Sequence, residues 1–181
     1  MEKSQPAKRT KARQAAGSMD AIALLKADHR QVEKWFAQFK KTRASSQKEK
    51  LAKQICNALK VHTAIEEELF YPAFIEATDD KDMHHEAVVE HAGAKKLIAE
   101  IEGLNGDDEY YDAKVVVLSE MIKHHVKEEE QPGGMFAEAR KSNLDLENLG
   151  TQLKERKMQL EGNGNKSSGR LRGVAKKLFD A

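Results

Sequence analysis

The chain has 181 residues, 34% of them charged and 39% hydrophobic, with three prolines, one cysteine and a net charge of +1. That length suits one domain with room for one real core, and no apolar run approaches the roughly 20 residues that span a bilayer. The single cysteine, Cys56, excludes an internal disulfide framework and fits a reducing cytosol. No hydrophobic segment follows the N-terminal charges, so a cytoplasmic protein without a secretory signal is expected.

Residues 1–18 carry Lys3, Lys8, Arg9, Lys11 and Arg13 against Glu2 and show no hydrophobic periodicity, which reads as a disordered basic arm. Such arms can hold phosphates. No aromatic residue is interleaved to stack on bases, so nucleic acid is a disfavoured partner that only the basic ends leave open.

From Asp20 to Lys41 the inward positions run Ile22, Leu25, His29, Val32, Phe36 and Phe39, the alternating spacing of a bundle seam with a histidine set into it. Trp35 beside them reads as packing. A polar loop, Thr42 to Gln47, follows, and Ser46 with Glu49 has the spacing of a capping box. The second seam reads Leu51, Ile55, Leu59, His62, Glu66 and Leu69. Glu66 therefore points inward, where a carboxylate must be paired, protonated or bound to metal. Glu67 and Glu68 fall on other faces and are expected to be solvated, and Pro72 should bend or end the helix.

Thr78–Asp82 supplies a turn into a third helix reaching about Gly103, with Val88, His91, Ala94, Ile98 and Ile101 inward. His84 lies two turns before His91, roughly 10 Å along the axis, and reads with His85 as a surface or outer residue. Asp107 or Asp108 is the expected N-cap of the fourth helix, whose seam holds Val115, Leu118, Ile122, His125 and Glu129. His124 and Glu128 share the four-residue spacing but sit about 100° round the helix. Gln131–Gly134 interrupts the pattern. Met135 to Lys141 and Asp145 to Leu160 read as continuations or a capping fifth helix, Gly162–Gly169 as a flexible linker, and Arg170–Ala181 as a short basic amphipathic segment.

The pattern is one helical hairpin written twice. His29 precedes His62 by 33 residues and His91 precedes His125 by 34. A shift of 62 aligns Asp28-His29 with Glu90-His91, and a shift of 63 aligns His62 and Glu66 with His125 and Glu129. The expected fold is all-α: an up-down-up-down four-helix bundle over 19–141, a C-terminal helix over 142–160 and disordered basic tails at 1–18 and 161–181. A histidine and a carboxylate four apart share a helix face, about 5–6 Å apart at Cβ. Imidazoles and carboxylates converging from four helices make a metal site, and a dinuclear one by their number.

These residues resemble the hemerythrin-like HHE cation-binding domain, over about residues 20–140. The resemblance implies a non-haem di-iron centre with an oxo or hydroxo bridge, held by His29, His62, Glu66, His91, His125 and Glu129, with the two glutamates bridging. The oxygen-carrying hemerythrins have a second histidine four residues from the one on the third helix, where this chain has Ala87 and Lys95. They also end on an aspartate five residues after the last histidine, where this chain has a glutamate at four. The departures point to the broader group and away from reversible oxygen carriage. With both glutamates and an oxo group bridging, each iron keeps one open position, which suits activation or reduction more than storage.

The implied ligands are dioxygen, nitric oxide or peroxide, bound or sensed, or iron itself, buffered. Alternatives are a di-iron enzyme with peroxidase-, catalase- or ferroxidase-like activity, and an interaction protein with a structural metal. Tyr71, beside Pro72, reads as helix-end packing, with an extra ligand or radical site as its functional alternative. Cys56 reads as a buried structural thiol.

Overall fold

The computed structural model describes the backbone of residues 19–179 and the side chains of residues 19–162. The expected N-terminal arm lies outside the described residues. Every element among the described residues is helical.

Helix α1 spans Ala21–Lys41, opened by the Asp20 carboxylate accepting the Ala23 N–H at 2.7 Å. Helix α2, Ser45–Ile65, passes through a wide π turn at Glu66–Phe70 into α3, Tyr71–Thr78. Asp79 ends α3 in the left-handed region at φ 56°, and the Asp80 carboxylate caps α4, Lys81–Glu102. Helix α5 is Tyr111–Glu130, α6 is Met135–Lys141 and α7 begins at Leu146. The α2–π–α3 rod, α1, α4 and α5 form the four-membered bundle, each packed on two neighbours, and short connections make those neighbours antiparallel. Helix α7 lies outside, across α1, α2 and the π turn.

The regular helix does break beside Pro72, at a π turn from which a new α-helical segment starts at Tyr71. Pro72 falls in the first turn of α3, where its fixed φ suits a helix start. The π turn has already widened the ladder, with the Tyr71 N–H reaching back to the Glu66 carbonyl. That extra residue moves the inward position from Leu69 to Phe70, which is fully buried.

Both expected caps fail because the loops use those side chains differently. Ala44, not Ser46, precedes α2, and Glu49 accepts the Gly106 N–H from the loop opposite. Asp107 accepts the Ser45 hydroxyl at 2.5 Å, and Asp108 accepts the Asn105 N–H at 2.5 Å, so neither caps α5. Val88 is 38% exposed, its place inside taken by Ala87.

The stretch expected to be a linker at Gly162–Gly169 is part of α7, which runs to Phe179. No proline interrupts it, but each glycine there costs about 1 kcal/mol relative to alanine.

Two apolar clusters divide the core. One gathers Val32, Phe36, Leu59, Ile98, Leu118 and Ile122 inside the bundle. The other gathers Ile22, Leu25, Phe70, Phe74, Phe136 and Leu153 where α3, α6 and α7 close one end. The buried histidines and glutamates of the seam lie between them.

Candidate metal centre

All six seam residues singled out by the repeat come together, and each is at most 5% exposed. His29 and His62 Nε2 atoms are 3.0 Å apart, and those of His91 and His125 are 3.2 Å apart. Glu66 lies between the two pairs, with Oε2 3.2 Å from His62 and 3.4 Å from His91. Glu129 spans them from the other side, Oε2 3.4 Å from His29 and Oε1 3.6 Å from His125. Each half of the chain thus gives one glutamate that faces both histidine pairs.

The other ring nitrogens explain why Nε2 points inward. His29 Nδ1 is 2.8 Å from Glu130, His91 Nδ1 3.0 Å from Glu67, and His125 Nδ1 2.7 Å from Glu90. His62 Nδ1 stands 3.5 Å from Asp28, an ion-pair distance rather than a hydrogen bond. A carboxylate on Nδ1 fixes the tautomer and turns the Nε2 lone pair to the centre. The repeat extends to these partners. The acid before each first histidine, Asp28 or Glu90, faces the second histidine of its own hairpin. The acid after each inward glutamate, Glu67 or Glu130, faces the first histidine of the other hairpin.

Glu67 is therefore not merely solvated, as its face suggested. It is half-buried between the His91 ring and the Lys95 ammonium, 2.6 Å away. Glu68 behaves as expected, exposed and paired with Arg156 on α7.

Tyr71 joins the site. Its hydroxyl donates to Glu129 Oε1 at 3.5 Å and stands 3.1 Å from His91 Nε2. Five residues along a regular α-helix from Glu66 it would stand about 140° round the axis; the π turn swings it back. Pro72 so close downstream was the one sequence signal of that distortion. On the opposite pair the Phe136 ring stacks on His29 at 5.8 Å, so one side offers a phenol and the other an apolar face. His84 stays outside, edge-on to the Tyr71 ring at 5.7 Å.

The electrostatics are those of a cage lacking compensation. Burial alone would lower the His62 imidazole, but Glu66 and Asp28 outweigh it and raise it to about 10. His125 is raised to about 9 against burial by Glu129 and Glu90, while burial takes His29 down to about 4. Burial also raises both glutamates; the facing imidazoles reverse this at Glu66, whereas the Glu66 charge reinforces it at Glu129. Burial and the two glutamate charges hold the Tyr71 phenol well above its ordinary value.

Both Glu66 oxygens and Glu129 Oε2 are buried without a hydrogen-bond partner, a costly arrangement for a carboxylate. Nε2 atoms 3.0 Å apart, with lone pairs facing, likewise need a proton or a cation between them. Cis ligands on metal bonds of about 2.1 Å stand roughly 3 Å apart, the spacing of these donors. The residues fit a cation. Cys56, by contrast, is buried away from the site, and burial raises its thiol to about 11, leaving it inert.

No described helix is long and apolar enough to cross a membrane. No curated protein compared with the chain matches it. A crystal structure of a hemerythrin HHE cation-binding domain-containing protein from Mycobacterium kansasii has the same fold, with a TM-score of 0.68 and 21% identity. The likeness covers 80% of this chain and 89% of that one. The sequence model of the Hemerythrin HHE cation binding domain matches residues 20–132, which hold every residue of the cage. The chain belongs to the hemerythrin HHE cation-binding domain family.

Proposed function

We propose that His29, His62, Glu66, His91, His125 and Glu129 hold two non-haem iron ions, at which the protein binds or senses dioxygen, nitric oxide or peroxide. The unpartnered oxygens of Glu66, buried between two histidine pairs, carry this reading. Imidazole and carboxylate donors without a thiolate suit iron, manganese or zinc, and the family resemblance selects iron. One subsite is His29, His62 and Glu66; the other is Glu66, His91 and His125. Glu129 faces both. A pair of ions so held supplies redox chemistry and Lewis acidity to a small bound ligand.

The protein's own contribution is selection and isolation. A cavity of about 10 Å³ adjoins the four histidines, walled by Val32, Leu59, Ile122 and Val126. It has room for about one water-sized molecule, so only very small ligands fit. Tyr71 makes the subsites unequal, standing as an additional oxygen donor beside His91. Among the described residues the His29–His62 side has no such donor and is covered by the Phe136 ring, stacked on His29 at 5.8 Å.

The test is the iron-loaded protein exposed in turn to nitric oxide and peroxide. A stable nitric oxide adduct, with no sustained peroxide loss and no adduct in Glu66→Ala, is expected. Multiple turnovers of peroxide would instead establish the second reading, a peroxide-reducing enzyme, which the redox-active phenol of Tyr71 favours. Absorption of ferric iron by phenolate, lost in Tyr71→Phe, is the signature of the tyrosine donor.

A further inference from the structure

The four carboxylates that face the outer histidine nitrogens are not treated alike on their solvent side. Glu130 is met by Arg30 at 2.5 Å and Lys26 at 3.5 Å, Glu67 by Lys95, and Asp28 by Lys157. Glu90 has no such lysine or arginine among the described residues. Its Oε1 instead lies 3.4 Å from His124, which is 3.1 Å from Glu128. The ligand atoms of Glu90, His124 and Glu128 all lie within 4.8 Å of one another.

This is also where the cage opens. A cavity of about 150 Å³ is lined by Glu86, Glu90 and Glu128 at its rim and by His125 and Glu129 below. Glu129 there is 2% exposed, with Oε1 3.6 Å from His125 and the unpartnered Oε2 turned inward to His29. The Gln131–Gly134 break after α5 forms one wall of the opening, where a continued helix would stand. A cleft lined by one sign of charge concentrates counter-ions, raising on-rates by about 10- to 1,000-fold.

We propose that Glu90, His124 and Glu128 form a third, exchangeable site for a divalent cation, the loading site through which metal reaches the buried centre. A solution cation there takes the place that fixed lysine or arginine side chains hold at the other three carboxylates. One imidazole nitrogen and carboxylate oxygens suit ferrous, manganous, cobaltous or zinc ions. Glu90 links the two sites physically, one oxygen on His125 Nδ1 and the other in the outer cluster. At 62% exposure for His124 against 4% for His125, the outer site binds weakly and exchanges quickly while the inner one retains.

This inference rests on the dinuclear reading, and the test separates the two. Metal-free protein is titrated with cobaltous ion under anaerobic conditions, and the rate of tight uptake is followed by stopped-flow absorption. The variant carries His124→Ala and Glu128→Gln, both outside the inner cage, with Glu109→Gln as a control for lost surface charge. The wild type is expected to take two tight equivalents and one weak one. The double variant is expected to keep the two tight equivalents, lose the weak one and load at least about tenfold more slowly. The control should load as the wild type does. Two tight equivalents in all proteins at equal rates, or a weak equivalent surviving in the double variant, would overturn the loading site and leave the inner centre standing. A wild type without tight cobalt would overturn the inner centre itself.

Discussion

Glu67 and Glu130 show how far a single side chain in this protein acts through another. Neither faces the interior of the cage, yet each presents a carboxylate to a histidine Nδ1 contributed by the opposite hairpin. Replacing either by glutamine should weaken metal binding by about 10- to 100-fold, with the helical signal unchanged. An equilibrium titration against a competing chelator measures this; equal affinity in Glu67→Gln would show that His91 is oriented without its acid. Protonation sets a second expectation. Ligating histidine and carboxylate must be proton-free, whereas the neighbouring carboxylates raise His62 and His125 to about 10 and 9, and burial and the Glu66 charge push Glu129 upward. Metal binding near pH 7 must therefore release protons, and apparent affinity should climb as pH rises from 6 to 8. Calorimetry in buffers of different ionisation enthalpy reads that release directly.

The six inner residues were legible because they interrupt an apolar period twice at matching positions. The four outer acids were equally present in the repeat, as an acid before each first histidine and after each inward glutamate. Face assignment on an ideal helix hid them, because a half-buried side chain can reach a histidine on the next helix from off the seam.

Elements place these groups where residue patterns alone cannot. Helical periodicity fixed α1, α2, α4 and α5 closely, since their seams run in unbroken threes and fours. It could not foresee the π turn, which shifts register by one, buries Phe70 rather than Leu69 and brings Tyr71 to His91. The caps were also missed: Glu49 and Asp107 have suitable spacing for helix ends, but their partners, Gly106 in a loop and Ser45 at the start of α2, are distant in sequence. The turn after α5 is constrained by Gly134, where an added Cβ would lie 2.1 Å from the Glu128 carbonyl oxygen. Gly134→Ala should therefore cost about 1–3 kcal/mol through strain and disturb Glu129 with it. A lowered melting temperature together with reduced metal retention is expected; an unchanged protein would mean that the turn adjusts freely.

At the scale of the molecule, the cage joins all four bundle helices at the level where the two apolar clusters meet. The cost of bringing unpaired carboxylates and facing imidazoles inside falls on the metal-free protein, so stability and occupancy are linked. Metal at about a thousandfold above its dissociation constant adds about 4 kcal/mol, on the order of 10 °C in melting temperature for a chain of this size. Removal by a chelator should lower the melting temperature by that order and leave a helical fold.

The most direct measurement is the number of metal ions retained per chain after purification and extensive dialysis, compared with His62→Ala and with the paired change Glu66→Ala, Glu129→Ala. Two iron ions per wild-type chain, fewer in the histidine variant and none in the glutamate pair, is the expected result. A wild-type chain that is folded and metal-free, and stays so when offered ferrous iron anaerobically, would contradict the dinuclear centre.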